Sequence, residues 1–328
     1  MVDTTAPTGN PARQVRPPTA AELRAAAATV AAHLPPTPLV PVRLAGVAGE
    51  VLVKLESAQP TGSFKVRGAL AALEAYAATG RPVVTASAGN HGLGVAYAAG
   101  RLGVRATVVV PTTASTAKVD ALAAMDVALV HHGDDYEQAE AYALTRAEEG
   151  AVFVSAYNDA HVMAGQATLV EEVVDQAGDA LTLIIPVGGG GLLAGCALGA
   201  AGHARLRLVG AESANSPAVS GAVAAGAVVP VPVTPSLADG LGGNLEAGSV
   251  TPAVAGPRVH AFARVTEDRI AAAMRALVTQ AGLVAEGAAA VGVAALMDGQ
   301  VPVAGRPVIV LTGRNVAPAL LARVLAGD

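Results

Sequence analysis

The 328-residue chain has no tryptophan, and aromatic residues make up only 2% of it. Apolar residues nonetheless account for 52%, so the core must consist of Ala, Val and Leu with much Gly. Such small residues allow strands and helices to pack closely, as in α/β folds. The composition therefore predicts an α/β protein, and the length leaves room for two domains or one large one.

Cysteine is almost absent, since Cys196 is the only one in the chain. A single cysteine excludes an internal disulfide and a cysteine-rich metal site, and it fits a reducing compartment. The first twenty residues contain no apolar run, which predicts no signal peptide. We therefore expect a cytoplasmic protein.

The sequence also lacks a strongly basic region and a convincing membrane segment. The net charge is −5 and the Lys and Arg residues are scattered, which argues against nucleic acid as a partner. Residues 181–201 are uncharged and long enough to cross a bilayer. They include Pro186 and four consecutive glycines, however, which would leave main-chain groups unsatisfied in lipid. We expect a buried strand, a loop and a buried helix there, and no membrane partner.

Predicted strands alternate with predicted helices along most of the chain. Thr19 and Glu22 form a capping box that begins the first helix, after a flexible arm over residues 1–18. The alternation predicts parallel sheets with right-handed crossovers. Strands are predicted at 51–56, 81–86, 106–111, 127–130, 151–154, 181–187, 206–210 and 307–311.

Lys65 stands at the start of a predicted helix, after a Pro-Thr-Gly turn and next to Phe64. The positive end of the helix dipole and the apolar neighbour both favour a neutral amine. A neutral lysine amine is a nucleophile that can form a Schiff base with an aldehyde. A lone lysine in such a position is more often an ordinary surface residue, so this assignment depends on the motifs that follow it.

Two predicted turns between a strand and a helix are suited to binding anions. The turn at residues 87–91, Ser-Ala-Gly-Asn-His, would direct main-chain N–H groups at a carboxylate or phosphate, although Ser-x-Gly-Asn is also an ordinary N-cap. In the second turn, four glycines let the backbone approach an anion closely. These glycines are Gly188, Gly189, Gly190 and Gly191.

The glycine loop also matches a dinucleotide-binding fingerprint. Gly189, Gly191 and Ala194 have the required spacing, and Glu212 follows the next strand where a ribose-binding acid would lie. A nicotinamide-dependent dehydrogenase is therefore an alternative, but it leaves Lys65, residues 87–91 and residues 312–315 without a role. A non-catalytic ligand-binding protein is a further alternative that would require Lys65 to be idle.

Six motifs in a fixed order resemble one enzyme family. They are Ser-Phe-Lys-x-Arg-Gly-Ala (63–69), Ser-Ala-Gly-Asn-His (87–91), the four glycines (188–191), Ala-Asp-Gly (238–240), Ala-Glu-Gly-Ala (285–288) and Thr-Gly-x-Asn (312–315). The chain from about residue 20 onward is thereby similar to the serine/threonine dehydratase and serine racemase group of pyridoxal-phosphate (PLP) enzymes, which have the tryptophan-synthase β fold, or fold type II.

The resemblance implies an α/β fold of two domains, each with a central, mostly parallel sheet flanked by helices. Residues 1–81 and 158–328 would form the large PLP-binding domain, and residues 82–157 a small mobile domain. Family members are usually homodimers. The resemblance also implies a small amino acid as the substrate and pyridoxal 5′-phosphate as the cofactor.

The resemblance further assigns roles to individual residues. Lys65 would carry PLP and move protons at the substrate Cα, Phe64 and Gly240 would lie on either side of its ring, and Thr312 would face the pyridine nitrogen. Asn90 would bind the 3-hydroxyl of the ring, Glu286 would also contact the cofactor, and residues 188–191 would hold the phosphate. The substrate carboxylate would be bound by Ser87, Ala88, Gly89, Asn90 and His91.

The implied reaction is α,β-elimination from a β-hydroxy amino acid such as threonine or serine, which gives a 2-oxo acid and ammonia. Ala88 occupies the position of the second serine of the racemases, which favours elimination over racemisation. The segment after Glu212 lacks the second acid of the racemase cation site, so we expect no metal. A dehydratase of 3-hydroxyaspartate or of the hydroxyectoine pathway stays open, and Arg314 either binds an acidic side chain or pairs with Glu286.

Overall fold

The computed structural model describes residues 13–178 and 180–327, and the first twelve residues of the predicted arm lie outside this range. The strands are β1 (Leu39–Val42), β2 (Val51–Lys54), β3 (Val83–Ala86), β4 (Ala106–Val110), β5 (Ala128–His131), β6 (Val152–Phe153), β7 (Leu181–Pro186), β8 (Arg207–Ser213), β9 (Val259–Val265) and β10 (Arg306–Val310).

Helices connect most of these strands, as the alternating pattern predicts. They are α1 (Ala20–His33), α2 (Lys65–Ala77), α3 (Asn90–Leu102), α4 (Thr116–Ala123), α5 (Tyr136–Glu148), α6 (Ala160–Ala177), α7 (Gly191–Gly199), α8 (Ala218–Ala225), α9 (Thr251–Ala255), α10 (Glu267–Ala281), α11 (Gly287–Met297) and α12 (Pro318–Ala326). The capping box at the start of α1 is present, because the side chains of Thr19 and Glu22 each bond to the other residue's main chain.

The larger sheet has the strand order β1-β2-β10-β7-β8-β9. Among these described strands, only β1 runs antiparallel to its neighbour. Every residue of β7 is buried, as expected for a central strand of a sheet that is covered on both faces. Apolar side chains of α10 and α11 cover one face, and those of α6, α7 and α8 cover the other.

The smaller sheet has the order β5-β4-β3-β6, and all its strands are parallel. It lies within residues 82–157, the segment predicted to form a separate small domain, and the mobility of that segment stays a prediction. In both sheets the carboxyl ends of the strands lead into the predicted motifs, which is the edge where open α/β sheets bind ligands.

Small residues let the helices approach each other closely. A Cβ atom on Gly68 of α2 would lie 2.9 Å from the main-chain oxygen of Val162 in α6, and one on Gly165 of α6 would lie 2.5 Å from the oxygen of Arg67. Any larger residue would force α2 and α6 apart, and α2 carries Lys65 at its start. The glycine-rich composition thus serves helix packing next to the site.

Two strands differ from the prediction. Strand β1 (Leu39–Val42), at the edge of the larger sheet, is not among the predicted strands. Strand β9 was not predicted because it lies at the opposite edge, where exposed and partly buried residues alternate without a continuous apolar run. Helix α6 begins directly after Asp159, whose side chain accepts hydrogen bonds from the N–H groups of His161 and Val162.

Candidate active site

Lys65 is the first residue of α2, and its side chain points into a cleft of about 1300 Å³ between the two sheets. Its Nζ donates a hydrogen bond to the main-chain oxygen of Ala156, at 2.7 Å, and lies 5.2 Å from the centre of the Phe64 ring. Burial lowers the pKa of the Lys65 amine to about 8, although the Glu286 carboxylate opposes this shift. The site therefore provides an amine that loses its proton far more readily than an exposed lysine does.

The four consecutive glycines form the turn from β7 into α7 and line the same cleft. A Cβ on Gly189 would lie 2.3 Å from the Tyr157 ring, and one on Gly191 would lie 2.7 Å from the Cα of Tyr157. Gly190 has a φ of +83°, which favours glycine, and a Cβ there would lie 2.8 Å from Thr251 Oγ1. Added side chains would therefore displace the loop from its supports.

The 87–91 turn joins β3 to α3 and faces the glycine loop across the cleft. Ser87 Oγ accepts a hydrogen bond from the N–H of Gly89 at 3.2 Å. His91 is buried, and its Nε2 lies 3.1 Å from the main-chain oxygen of Val154. Burial, together with the positive charge of Lys65, lowers the pKa of His91 to about 3. His91 is therefore neutral at physiological pH.

Asn90 connects the turn to the far wall of the cleft. Its Nδ2 donates to Glu286 Oε1 at 2.8 Å, and its Oδ1 accepts from Asn315 Nδ2 at 2.6 Å. Burial raises the pKa of Glu286 to about 7, while the hydrogen bond from Asn90 opposes that shift. The sequence motif included Asn315, but its contact with Asn90, 225 residues away, was not predicted.

Thr312 follows β10, and this largely buried residue lines the cleft. Its main-chain oxygen accepts from the N–H of Phe64 at 3.0 Å, which fixes the end of β10 beside the start of α2. Gly240 also lines the cleft, opposite Ala288 of α11. Every residue assigned by the resemblance thus borders one cleft, and the individual roles stay predictions.

Two residues have different surroundings from those that sequence reasoning considered. Glu212 is fully buried and caps α8, since its Oε1 accepts from the N–H groups of Val219 and Ser220 at 2.9 and 3.1 Å. It does not line the cleft, so it cannot act as the ribose-binding acid of a dinucleotide site. Arg314 is exposed, and the ion pairs of the described residues do not join it to Glu286, which instead accepts a hydrogen bond from Asn90.

Sequence reasoning did not identify two cleft residues, Tyr157 and Lys118. Tyr157 supports the glycine loop, and Lys118 of α4 forms an ion pair of 3.1 Å across the cleft opening with Asp239, a residue of the Ala-Asp-Gly motif. No local motif could have indicated Tyr157 or Lys118, because each acts through a partner that is distant in the chain. Together with the contact between Asn90 and Glu286, the ion pair joins the segment that carries the smaller sheet to the rest of the protein.

A buried amine opposite a glycine loop, at the carboxyl edge of a parallel sheet, is typical of an α/β enzyme that uses a phosphorylated carbonyl cofactor. The family model described as "Pyridoxal-phosphate dependent enzyme" matches residues 30–313. The chain belongs to this family. Pyridoxal phosphate is therefore its cofactor, which confirms the predicted fold class and cofactor and excludes the nicotinamide alternative.

Curated and solved proteins agree with this assignment. The chain is 38% identical to the L-threonine ammonia-lyase of Geobacter sulfurreducens over 271 residues, which is 81% of this chain and 67% of that protein. Maize serine racemase superposes with a TM-score of 0.87 at 28% identity, covering 95% of this chain and 98% of that one. The processed form of threonine deaminase isoform 2 from Solanum lycopersicum has a TM-score of 0.81 at 28% identity, covering 100% of both chains.

The residues present fit the cofactor. The Lys65 amine, with its lowered pKa, suits attachment to an aldehyde, and the loop of Gly188 to Gly191 leaves its main-chain N–H groups uncovered by side chains. Thr312 offers a neutral hydroxyl where the resemblance places the pyridine nitrogen. Of the described residues, no group of three or more His, Cys, Asp or Glu side chains could hold a metal ion.

Proposed function

We propose that the chain is a PLP-dependent ammonia-lyase that removes water from a β-hydroxy amino acid and yields a 2-oxo acid and ammonia. The observation that carries this proposal is Lys65, a buried amine with a pKa of about 8 in the cleft of a PLP-family fold. The identity to an L-threonine ammonia-lyase supports the reaction type.

Bound pyridoxal phosphate withdraws electrons from the substrate Cα and so makes its proton acidic. Once the substrate amine replaces it on the cofactor, the Lys65 amine would accept that proton, and the Cα proton and the β-hydroxyl would be lost together as one molecule of water. Main-chain N–H groups of residues 87–91 bind the substrate carboxylate at the start of α3. The released enamine then takes up water and gives the 2-oxo acid and ammonia.

Ala88 supports elimination over racemisation. A racemase needs a second acid/base group on the face of the substrate opposite the lysine. In the described cleft Ala88 offers a methyl group where the resemblance places that serine, and neighbouring His91 is neutral and hydrogen-bonded to Val154.

The charges in the cleft favour a substrate with a neutral side chain. Besides Lys65, the cations that line the described cleft are Arg13 and Lys118, and each already pairs with a carboxylate, at 2.9 and 3.1 Å. An acidic side chain would have to displace Glu246 or Asp239 to gain a cation. We therefore propose threonine or serine as the substrate in preference to 3-hydroxyaspartate.

The chain contains three lysines, which makes covalent attachment of the cofactor easy to test. Borohydride reduction of the PLP-loaded protein should fix the cofactor on Lys65, as mapped by peptide mass spectrometry. The Lys65→Ala variant should lose the fixed cofactor and release no 2-oxo acid from L-threonine or L-serine, whereas Lys118→Ala should keep the fixed cofactor. Full turnover by Lys65→Ala would refute the proposal.

We further propose a cytoplasmic homodimer, which is the usual state of the family that the motifs resemble. Within residues 13–178 and 180–327, no helix is long and apolar enough to span a bilayer. Light scattering coupled to size-exclusion chromatography should give about twice the 32.1 kDa of one chain. A mass of one chain under the same conditions would contradict the dimer.

A further inference from the structure

The segment before α1 reaches the active-site cleft through Arg13. The Arg13 guanidinium donates to both carboxylate oxygens of Glu246, at 3.1 and 2.9 Å, and to the main-chain oxygen of Asn158 at 2.8 Å. It also lies 4.9 Å from the centre of the Phe153 ring. A bidentate pair between a guanidinium and a carboxylate has a specific geometry. The Phe153 ring adds a cation–π contact with the same guanidinium group. Arg13 therefore joins two segments that are far apart in the chain.

Both segments support the glycine loop. Tyr157 precedes Asn158, and its hydroxyl accepts a hydrogen bond from the main-chain N–H of Glu246 at 2.7 Å. The same ring fills the space below Gly189. A few residues beyond Glu246, the Thr251 hydroxyl donates to the main-chain oxygen of Gly189 at 2.7 Å.

A further hydrogen bond ties these supports together. Asn158 Oδ1 accepts from the N–H of Val250 at 3.1 Å, one residue before Thr251. One nitrogen of Arg13, Nη2, thus bonds both to Asn158, which follows Tyr157 in the chain, and to Glu246, whose N–H bonds to the Tyr157 hydroxyl. Arg13 can therefore fix the residues that support the glycine loop without contacting the loop itself.

We propose that Arg13 is a positioning residue for the phosphate of the cofactor. It fixes the positions of Asn158 and Glu246 relative to each other, and these two residues fix the Tyr157 ring. The ring in turn sets the position of Gly189 and its neighbours. The inference rests on the proposed cofactor site, since it takes the loop of Gly188 to Gly191 as the phosphate cradle. Arg13 bonds to neither Lys65 nor Ala156, the acceptor of the Lys65 amine, so its effect should be larger at the phosphate end of the cofactor than at the Lys65 end.

The test compares two ligands that differ only in the phosphate. The cofactor-free protein is titrated with pyridoxal phosphate and with pyridoxal, and dissociation constants are measured from the visible absorbance. Lys65 can react with the aldehyde of both ligands, so the ratio of the two constants reports on the phosphate site alone. Arg13→Gln should raise the dissociation constant of pyridoxal phosphate about tenfold, as expected for loss of a charge-assisted pair. The dissociation constant of pyridoxal should change less than about twofold.

Arg16→Gln is the matched control, because Arg16 lies on the same segment but pairs with Glu22 at the surface. It should leave both constants as in the unmodified protein. Tyr157→Phe is a second variant that keeps the ring and the pair of Arg13 with Glu246. It should weaken the binding of pyridoxal phosphate about fivefold, through loss of one hydrogen bond, and leave the binding of pyridoxal unchanged.

Three outcomes would overturn parts of this scheme, and they can be told apart. Equal weakening of both ligands by Arg13→Gln would show a general structural role, and an effect no larger than that of Arg16→Gln would show none. Either result refutes the positioning role of Arg13. If the unmodified protein binds pyridoxal as tightly as pyridoxal phosphate, the glycine loop is not a phosphate site and the proposed cofactor site itself fails.

Discussion

Arg67 should be one of the most stability-critical side chains of the protein, although it does not line the cleft. All five of its N–H donors are used: two bonds go to Glu56 (both 2.8 Å), two to Glu172 (2.6 and 2.8 Å) and one to Thr168 (3.1 Å). The side chains of Arg67 and Glu56 are fully buried. Lys54 adds a further ion pair of 2.7 Å to Glu172.

The Arg67→Met variant would retain volume but leave two carboxylates with a single cation. Removing one partner of a buried ion pair costs ~3–5 kcal/mol, because the other charge stays buried and uncompensated. Since domains of this kind have unfolding free energies of ~5–15 kcal/mol, this loss would be a large fraction of the total. Urea unfolding at pH 7, followed by circular dichroism, measures the change.

The pH dependence of the Arg67→Met variant provides a sharper criterion. In the unmodified protein burial opposes ionisation of Glu56, but Arg67 outweighs it and keeps the pKa of Glu56 below its usual value. This contribution to stability is present above the unfolded pKa and is lost as pH falls through the folded pKa. Without Arg67 burial should raise the pKa of Glu56, so the variant should become more stable as pH falls from 7 towards 5.

Arg81→Met is the control for removal of an arginine. Arg81 is exposed and donates to the main-chain oxygens of Gly150 and Ala151 at 2.8 and 2.6 Å, so its loss should cost less than ~1 kcal/mol. The reasoning is refuted if Arg67→Met costs no more than Arg81→Met, or if the stability of Arg67→Met rises no more steeply than that of the unmodified protein as pH falls from 7 towards 5.

Three further predictions concern the cleft. Gly189→Ala places a methyl group against the Tyr157 ring, an overpacking that costs ~1–3 kcal/mol. A titration should show PLP binding at least about fivefold weaker. The control Gly100→Ala, which adds a methyl group in open space on α3, should leave PLP binding unchanged. Because burial raises the pKa of Glu286 from 4.5 to about 7, the folded cofactor-free protein holds a proton that the unfolded chain releases at lower pH. Its unfolding free energy should thus fall as pH rises through that interval, and Glu286→Gln should flatten the curve; an unchanged slope would place the titration elsewhere. Ala88→Ser should increase the interconversion of L- and D-serine measured by chiral chromatography, and no change would show that another group controls that face of the substrate.

Much of the fold and the candidate site followed from local sequence. Glycine runs and the Lys65 turn can be recognised because their physical requirements, free backbone space and a helix start, are encoded by neighbouring residues. The central strands were predicted because burial on both faces demands continuous apolar runs, as in β7. Edge strand β9 was missed because half-exposed residues leave only a weak signal.

The parts of the site that the sequence did not predict depend on contacts between distant segments. Arg13 and Glu246 are 233 positions apart, and Tyr157 contacts the N–H of a residue 89 positions away. An isolated Tyr or Arg in a loop has many possible environments, and only the packed sheets decide which one it occupies. The pKa shifts of Lys65 and Glu286 likewise arise from burial, whose extent the sequence pattern does not fix.

The hydrogen bond between Lys65 and Ala156 ties the amine of the cofactor-free protein to the segment that leaves the smaller sheet. Ala156 belongs to the short connection between β6 and α6, where the chain leaves the smaller sheet for the helix layer of the larger one. A rotation of the smaller sheet would therefore carry the acceptor of the amine with it. If residues 82–157 move as predicted, opening the cleft should therefore also move the acceptor of the amine, and a longer connection should uncouple the two.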